Sequence, residues 1–288
     1  MSETVTELAR AKVNLTLRVL GRRLDGYHEL QSLVAFADIG DEVTLHVGAR
    51  RGVTASGPYA SAIDGENIAV RALRRLAETA PALALGSVHI EKRLPVAAGI
   101  GGGSADAAAV LRAVRRANPG LASEVDWLAV AASLGADVPV CLANTAHLMW
   151  GIGREMASVP SLPALPAVLV NPGAPLATAA VFGALGAPPA PETIRPPDVP
   201  GPFPDMRSVA AYLLASGNDL EPVAGELCPA IGAVLAVLGA EPGAVLARMS
   251  GSGATCFGLF ETPAAAEAAA RRLSALNPAW WAVGTTLR

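Results

Sequence analysis

The stretch Leu94-Pro95-Val96-Ala97-Ala98-Gly99-Ile100-Gly101-Gly102-Gly103-Ser104 joins two segments of different character. Before it, residues 87–92 read as a strand. After it, Ala107, Val110, Leu111 and Val114 fall at i, i+3, i+4 and i+7, which predicts a helix over residues 104–117 stopped by Asn118-Pro119-Gly120. Four glycines remove the Cβ atoms that would keep an anion away from the backbone, and they allow positive φ. The helix start that follows offers N–H groups and the positive end of its dipole.

Two familiar phosphate loops do not fit these letters. A Walker A loop needs Lys and then Ser or Thr after its last glycine, and here Gly103 is followed by Ser104-Ala105. A dinucleotide fingerprint would put its last glycine on Ser104, and it would open the first βα unit, whereas this loop lies deep in the chain. Ser104 is placed as the helix N-cap, or turns its hydroxyl toward a phosphate or Mg²⁺. Taken alone, the loop also reads as a tight turn with no ligand.

Outward from the loop, residues 9–47 read as strands joined by a turn at residues 22–26, with alternation over residues 12–20 and 41–47. Residues 67–77 have helical spacing with Ile68, Leu73 and Leu76 inward, and residues 127–134 form a further helix ended by Gly135. Helices are expected near residues 209–215, 231–238 and 264–276, and strands over 255–260 and 280–287. Residues 187–204 are proline-dense and read as an extended surface connection. The pattern is that of an α+β protein of two domains.

The 288 residues are 52% hydrophobic, much of it alanine, which suits close helix packing. A net charge of −3 with interspersed signs argues against a nucleic-acid-binding face. Mean hydropathy is +0.40, but the longest uncharged stretch, between Glu155 and Glu192, is interrupted by Pro160, Pro163, Pro166, Pro172 and Pro175 and cannot form a spanning helix. The three cysteines show neither metal-ligand spacing nor a disulfide framework, so buried thiols in a cytoplasmic protein are expected. No signal peptide is recognisable at the start.

With its surroundings, the string from Leu94 to Ala108 resembles the phosphate-binding motif of the GHMP kinases, which phosphorylate galactose, homoserine, mevalonate and phosphomevalonate. Ala11-Lys12-Val13-Asn14-Leu15 and Met249-Ser250-Gly251-Ser252-Gly253-Ala254-Thr255 resemble the superfamily's other two motifs. Asp25-Gly26-Tyr27-His28-Glu29-Leu30 and Gly135-Ala136-Asp137-Val138-Pro139 are similar to the branch acting on 4-diphosphocytidyl-2-C-methyl-D-erythritol. So are Glu66-Asn67 and Gly217-Asn218-Asp219-Leu220-Glu221. The resemblance implies a two-domain GHMP kinase fold with its active site in the interdomain cleft. Residues 1–157 would bind ATP, residues 158–278 the substrate, and a last strand near 279–288 would return to the first domain. It also implies transfer of the γ-phosphate of ATP, with Mg²⁺, to the 2-hydroxyl of that substrate, a step of the non-mevalonate route to isoprenoid precursors. The implied protein is a monomer or weak dimer without nucleic-acid, membrane or obligate protein partners. A homoserine- or mevalonate-type kinase is the near alternative, and a non-catalytic GHMP-fold binding protein the distant one.

Residue by residue, the resemblance gives Asp137 the role of catalytic base, although Gly-Ala-Asp is commonly a plain turn. It sets Lys12 beside that carboxylate, with Asn14 on the same strand face. Tyr27 would stack on the cytosine and His28 would bond its polar edge, with Phe182 as a second stacking face or local packing. ATP would lie against Asn67, Lys92, Pro95, Ala98, Gly99, Gly101, Gly102, Gly103 and Ser104. Ser252 and Gly253 would face the substrate's phosphates, and Ser104 is the one candidate protein ligand for the metal. Ala105 stands where a second serine is common, Arg154 where an acid is frequent, and the roles of Arg154 and Asp219 stay open.

Overall fold

One helix in the first half of the chain carries an alanine run that is buried along nearly its whole length. Ala105, Ala107, Ala108, Ala109 and Ala113 are buried with Val110, Leu111 and Val114 in one helix. Small side chains let neighbouring helices approach closely while the longer ones fill the seam. The computed structural model of the protein describes residues 3–62, 67–191 and 195–288. Glu66 of the Glu66-Asn67 pair lies outside the described residues, as do residues 192–194 of the proline-dense stretch.

The early strands are β1 (Thr4–Asn14), β2 (Arg18–Arg22), β3 (His28–Val47), β4 (Gly52–Ser56) and β5 (Gly86–Glu91). Later come β6 (His147–Gly151), β7 (Glu155–Ser158), β8 (Leu165–Asn171), β9 (Ala244–Met249), β10 (Cys256–Phe260) and β11 (Trp281–Leu287). The helices of the first half are α1 (Ile68–Thr79), α2 (Gly102–Ala117), α3 (Trp127–Leu134) and α4 (Val138–Ala143). Those of the second are α5 (Thr178–Leu185), α6 (Met206–Ser216), α7 (Glu221–Leu227), α8 (Ala230–Gly239) and α9 (Pro263–Leu276).

The chain forms two units, each assembled from separated segments. One comprises Met1–Ala11, Ile39–Val96 and Gly101–Asn144. In it β5 pairs antiparallel with the second half of β3, Glu42 opposite Glu91 through Val47 opposite Gly86, and parallel with β4. Arg112 of α2 ties the unit together by donating to the Leu8 carbonyl at 2.9 Å and the Cys141 carbonyl at 2.7 Å, and it pairs with Glu7 at 3.1 Å.

The other unit comprises Lys12–Asp38, Ala97–Ile100 and Thr145–Arg288. Here the first half of β3 pairs with β2 and β6, and Phe36 exchanges backbone bonds of 2.8 and 2.9 Å with Arg288 after β11. β8 is buried at every position because β11 and β10 flank it and α9 packs over it. A two-sided core explains why its letters run apolar without alternation. Among the described residues, no helix is long and apolar enough to cross a membrane. All three cysteines are buried as thiols.

Three local expectations change. The alternation over residues 12–20 is not one strand: Leu15 and Thr16 both direct their N–H at the Leu33 carbonyl, 2.8 and 3.4 Å, and Leu17 turns away to bond Gly217. Two residues facing one is a bulge, and it separates β1 from β2. α2 starts at Gly102, capped by Gly101 at φ 65°, so Ser104 is not its N-cap and lies within the first turn. Asp137, expected on a loop, is the N-cap residue of α4.

Candidate active site

The first half of the glycine loop is fixed by the second glycine turn. Thr255 donates its hydroxyl to the Ala98 carbonyl at 2.6 Å and its N–H to the same oxygen at 3.2 Å. Asn171 in turn donates to the Thr255 hydroxyl at 2.9 Å. The Ser250 hydroxyl reaches the Gly99 carbonyl at 3.4 Å and accepts from the Asn14 N–H at 3.0 Å, while the Lys12 N–H holds the Ile100 carbonyl at 3.0 Å. Gly99, at φ 74°, lies so close to the Gly253 carbonyl that a Cβ would collide with it. The strand bearing Lys12 and Asn14, residues 97–100 and residues 250–255 are thus joined in one hydrogen-bonded assembly.

The second half of the loop enters α2. The first intrahelical bond is Ala105 N–H to Gly101 carbonyl at 2.8 Å, so the amides of Gly102, Gly103 and Ser104 precede the helical ladder, and Gly101 offers no capping side chain. Three consecutive N–H groups at a helix start form an anion cradle. Gly103 approaches Ile68 at the start of α1, where Asn67 caps the helix by accepting from Ala69 N–H at 2.9 Å. Asn67, the residue expected at the adenine, is therefore near the start of α2 and is also a helix cap.

Beneath the cradle lies a charge cluster. Lys92, 3% exposed, donates to Asp106 of α2 at 2.7 Å and to Asp41 of β3. Asp41 also accepts from the N–H groups of Arg93 and Leu94 at 2.6 and 2.8 Å, which sets the entry into Pro95. The other Asp106 oxygen is buried without a hydrogen-bond partner. Burial, opposed by Lys92 and reinforced by Asp41, pushes the Asp106 carboxyl up to about 7. Burial acts to lower Lys92, but the two carboxylates outweigh it and its pKa is raised. The Lys92 ammonium is thus engaged inside the protein.

A separate cavity of about 640 Å³ is lined by Tyr27, His28, Phe182, Arg22, Gly186 and Ala187, among others. The His28 and Phe182 rings are 4.8 Å apart and inclined by 30°. Tyr27 is 62% exposed. Burial, with the nearby Arg22 charge, lowers the His28 pKa below the ordinary histidine value, so the ring is neutral at pH 7 and offers one donor and one acceptor nitrogen. Ser252 bonds Thr178 of α5 hydroxyl to hydroxyl at 2.9 Å. Lys12 is 4% exposed at the end of β1, and Asp137 is half-buried.

Residues 67–145 match the family model for the GHMP kinases N terminal domain, and residues 203–279 that for GHMP kinases C terminal. A 4-diphosphocytidyl-2-C-methyl-D-erythritol kinase from Parvibaculum lavamentivorans is 50% identical over 286 residues, covering 98% of this chain and 97% of that protein. One of the same name from Rhodopseudomonas palustris is 49% identical over 287 residues, covering 97% and 94%. The chain belongs to the 4-diphosphocytidyl-2-C-methyl-D-erythritol kinase family. A crystal structure of a 4-(cytidine 5'-diphospho)-2C-methyl-D-erythritol kinase superposes with TM-score 0.76 at 37% identity, covering 98% of each chain.

Several polar residues of this family member escaped the sequence reading. Asp41, Asp106, Asn171 and Thr255 support the loop, and only Asp106 left a local signal, an acid inside an alanine run. Asp219, whose role was open, is structural: its carboxylate accepts from Val19 N–H at 2.8 Å and its own N–H donates to Leu17. Arg154 is exposed in the turn between β6 and β7.

Proposed function

We propose that this chain transfers the γ-phosphate of ATP to the 2-hydroxyl of 4-diphosphocytidyl-2-C-methyl-D-erythritol, in the cytoplasm, as a monomer or weak dimer. The observation that carries the substrate choice is the aromatic cavity. A neutral His28 beside Phe182, with Tyr27 at hand, suits a flat base with a donor–acceptor edge, and neither homoserine nor mevalonate has one. The cradle amides of Gly102, Gly103 and Ser104 receive the phosphates. Asp137 accepts the hydroxyl proton as the phosphoryl group moves, and Lys12 helps to position that hydroxyl. Ser252 and Gly253 face the substrate's phosphates.

Mg²⁺ suits this donor set in a limited way. Among the described residues no cluster of three His, Cys, Asp or Glu side chains is placed to hold a metal. Ser104 would supply one protein oxygen, phosphates and water the remainder, and the ion would neutralise phosphate charge.

The test is ADP release from purified protein with Mg-ATP and each candidate alcohol. Turnover of the cytidyl substrate alone is expected, with Asp137→Ala inactive yet still binding ATP. Turnover of homoserine or mevalonate in its place would sink the reading.

A further inference from the structure

The residues following α5 have a defined partner. Arg22 N–H donates to the Pro188 carbonyl at 2.7 Å, and Ala190 N–H donates back to the Arg22 carbonyl at 2.8 Å. Arg22 therefore forms a parallel bridge opposite Pro189. The bridge uses only a carbonyl of Pro188 and an amide of Ala190, so neither proline forfeits a hydrogen bond, and their fixed φ keeps the strap extended. Gly21 of β2 lies directly against it. A Cβ there would stand 2.5 Å from Ala190 Cα, 2.7 Å from its nitrogen and 2.9 Å from the Pro188 oxygen, and Gly21 has φ +151°. All three atoms are backbone, so no side chain can swing aside to make room, and only glycine permits the approach. The inner end of the strap, Gly186 and Ala187, lines the same cavity as His28 and Phe182.

We propose that residues 186–190 are a fixed outer wall of the base pocket, and that Gly21 is the position that sets where this wall stands. Gly21 is then a specificity-determining residue for the cytidyl end of the substrate, an inference that rests on the function proposed above. The physical advantage is pre-organisation. A wall held before the base arrives saves the entropy of ordering a loop on binding, and two prolines leave little freedom to lose. Displacing the wall opens one side of the ring to water and leaves the phosphate cradle and Asp137 untouched.

Two full-length variants test this, Gly21→Ala and Ala190→Pro. The second deletes the amide donor and leaves β2 intact, so it carries the test if the first does not fold. Three quantities are read: hydrogen exchange at Arg22 and over residues 186–190, affinity for cytidine diphosphate by calorimetry, and steady-state kinetics. We expect faster strap exchange, about tenfold weaker cytidine diphosphate binding and a matching rise in KM for the cytidyl alcohol. The KM for ATP and kcat should change by less than about twofold. Unchanged cytidine diphosphate affinity in a variant with a released strap overturns the proposal, as does an equal loss of ATP affinity. If the wild type binds cytidine diphosphate but phosphorylates no cytidyl alcohol, the function reading falls while the binding comparison still decides the strap. If it does not bind cytidine diphosphate, both fall.

Discussion

Two carboxylates share one ammonium beneath the free amides at the start of α2, so the cluster of Asp41, Lys92 and Asp106 carries a formal excess of one negative charge when all are ionised. Asp41 is well supplied with donors; Asp106 has one oxygen with none. The fold therefore favours the protonated form of Asp106, which raises its pKa above the unfolded value. A group shifted this way adds stability that is full below the unfolded value of about 3.9 and is lost as pH rises through about 7. Asp106→Asn keeps the shape and removes the excess charge. Wild-type stability should fall relative to this variant as pH is raised from 5 to 8, by on the order of 2 kcal/mol, measured by urea unfolding. Parallel stability curves would refute it. Lys92→Met leaves both acids buried without a counter-charge and should cost about 3–5 kcal/mol. None of this was legible in the sequence, because Asp41 and Lys92 are 51 positions apart and nothing local marks either as buried. Tyr27, His28 and Phe182 came to notice through the family resemblance, while no local pattern reports that the His28 and Phe182 rings meet.

At the scale of elements, the two glycine turns are held at van der Waals limits, and Gly99 is where they meet. Its φ of 74° and the Gly253 carbonyl against its missing Cβ act together. Gly99→Ala should destabilise the protein by about 1–3 kcal/mol and weaken ATP binding more than cytidine diphosphate binding, read by paired calorimetric titrations. Retained ATP affinity would show that the contact between the turns does not shape the cradle. α2 was readable because its apolar residues repeat at helical spacing and Asn118-Pro119-Gly120 stops it. Its start was not, because a glycine cap carries no side-chain signal; Gly101 caps by adopting positive φ. β3 runs for 20 residues, yet only its last third shows clean alternation, since Leu33 to Ala37 are buried on both faces. α5 likewise went unseen, because its eight residues follow a proline-interrupted stretch and only Val181 among them is buried.

At the scale of the whole molecule, chain order and structural grouping differ. The two-domain α+β character was legible because strand and helix patterns follow one another along the chain, and the motifs recur in order. The assembly of each unit from separated segments was not, since it depends on long-range pairing that no local pattern reports. A cut after residue 157 gives a fragment, 158–288, without Lys12–Asp38, which the structure groups with it. That fragment loses the Phe36–Arg288 backbone pair and the bonds between Leu17 and Asp219. It also loses Leu17 from a core shared with Val181, Leu220 and Ile231, against which Val19 and Leu30 pack. Uncovering these apolar side chains costs about 1.5–3 kcal/mol each, comparable in sum to the net stability of a domain. Residues 158–288 expressed alone should therefore be insoluble or unfold without cooperativity by circular dichroism. Co-expression with residues 1–157 should recover a soluble pair that co-purifies. A lone fragment 158–288 with a sharp thermal transition would show that Lys12–Asp38 is dispensable to it.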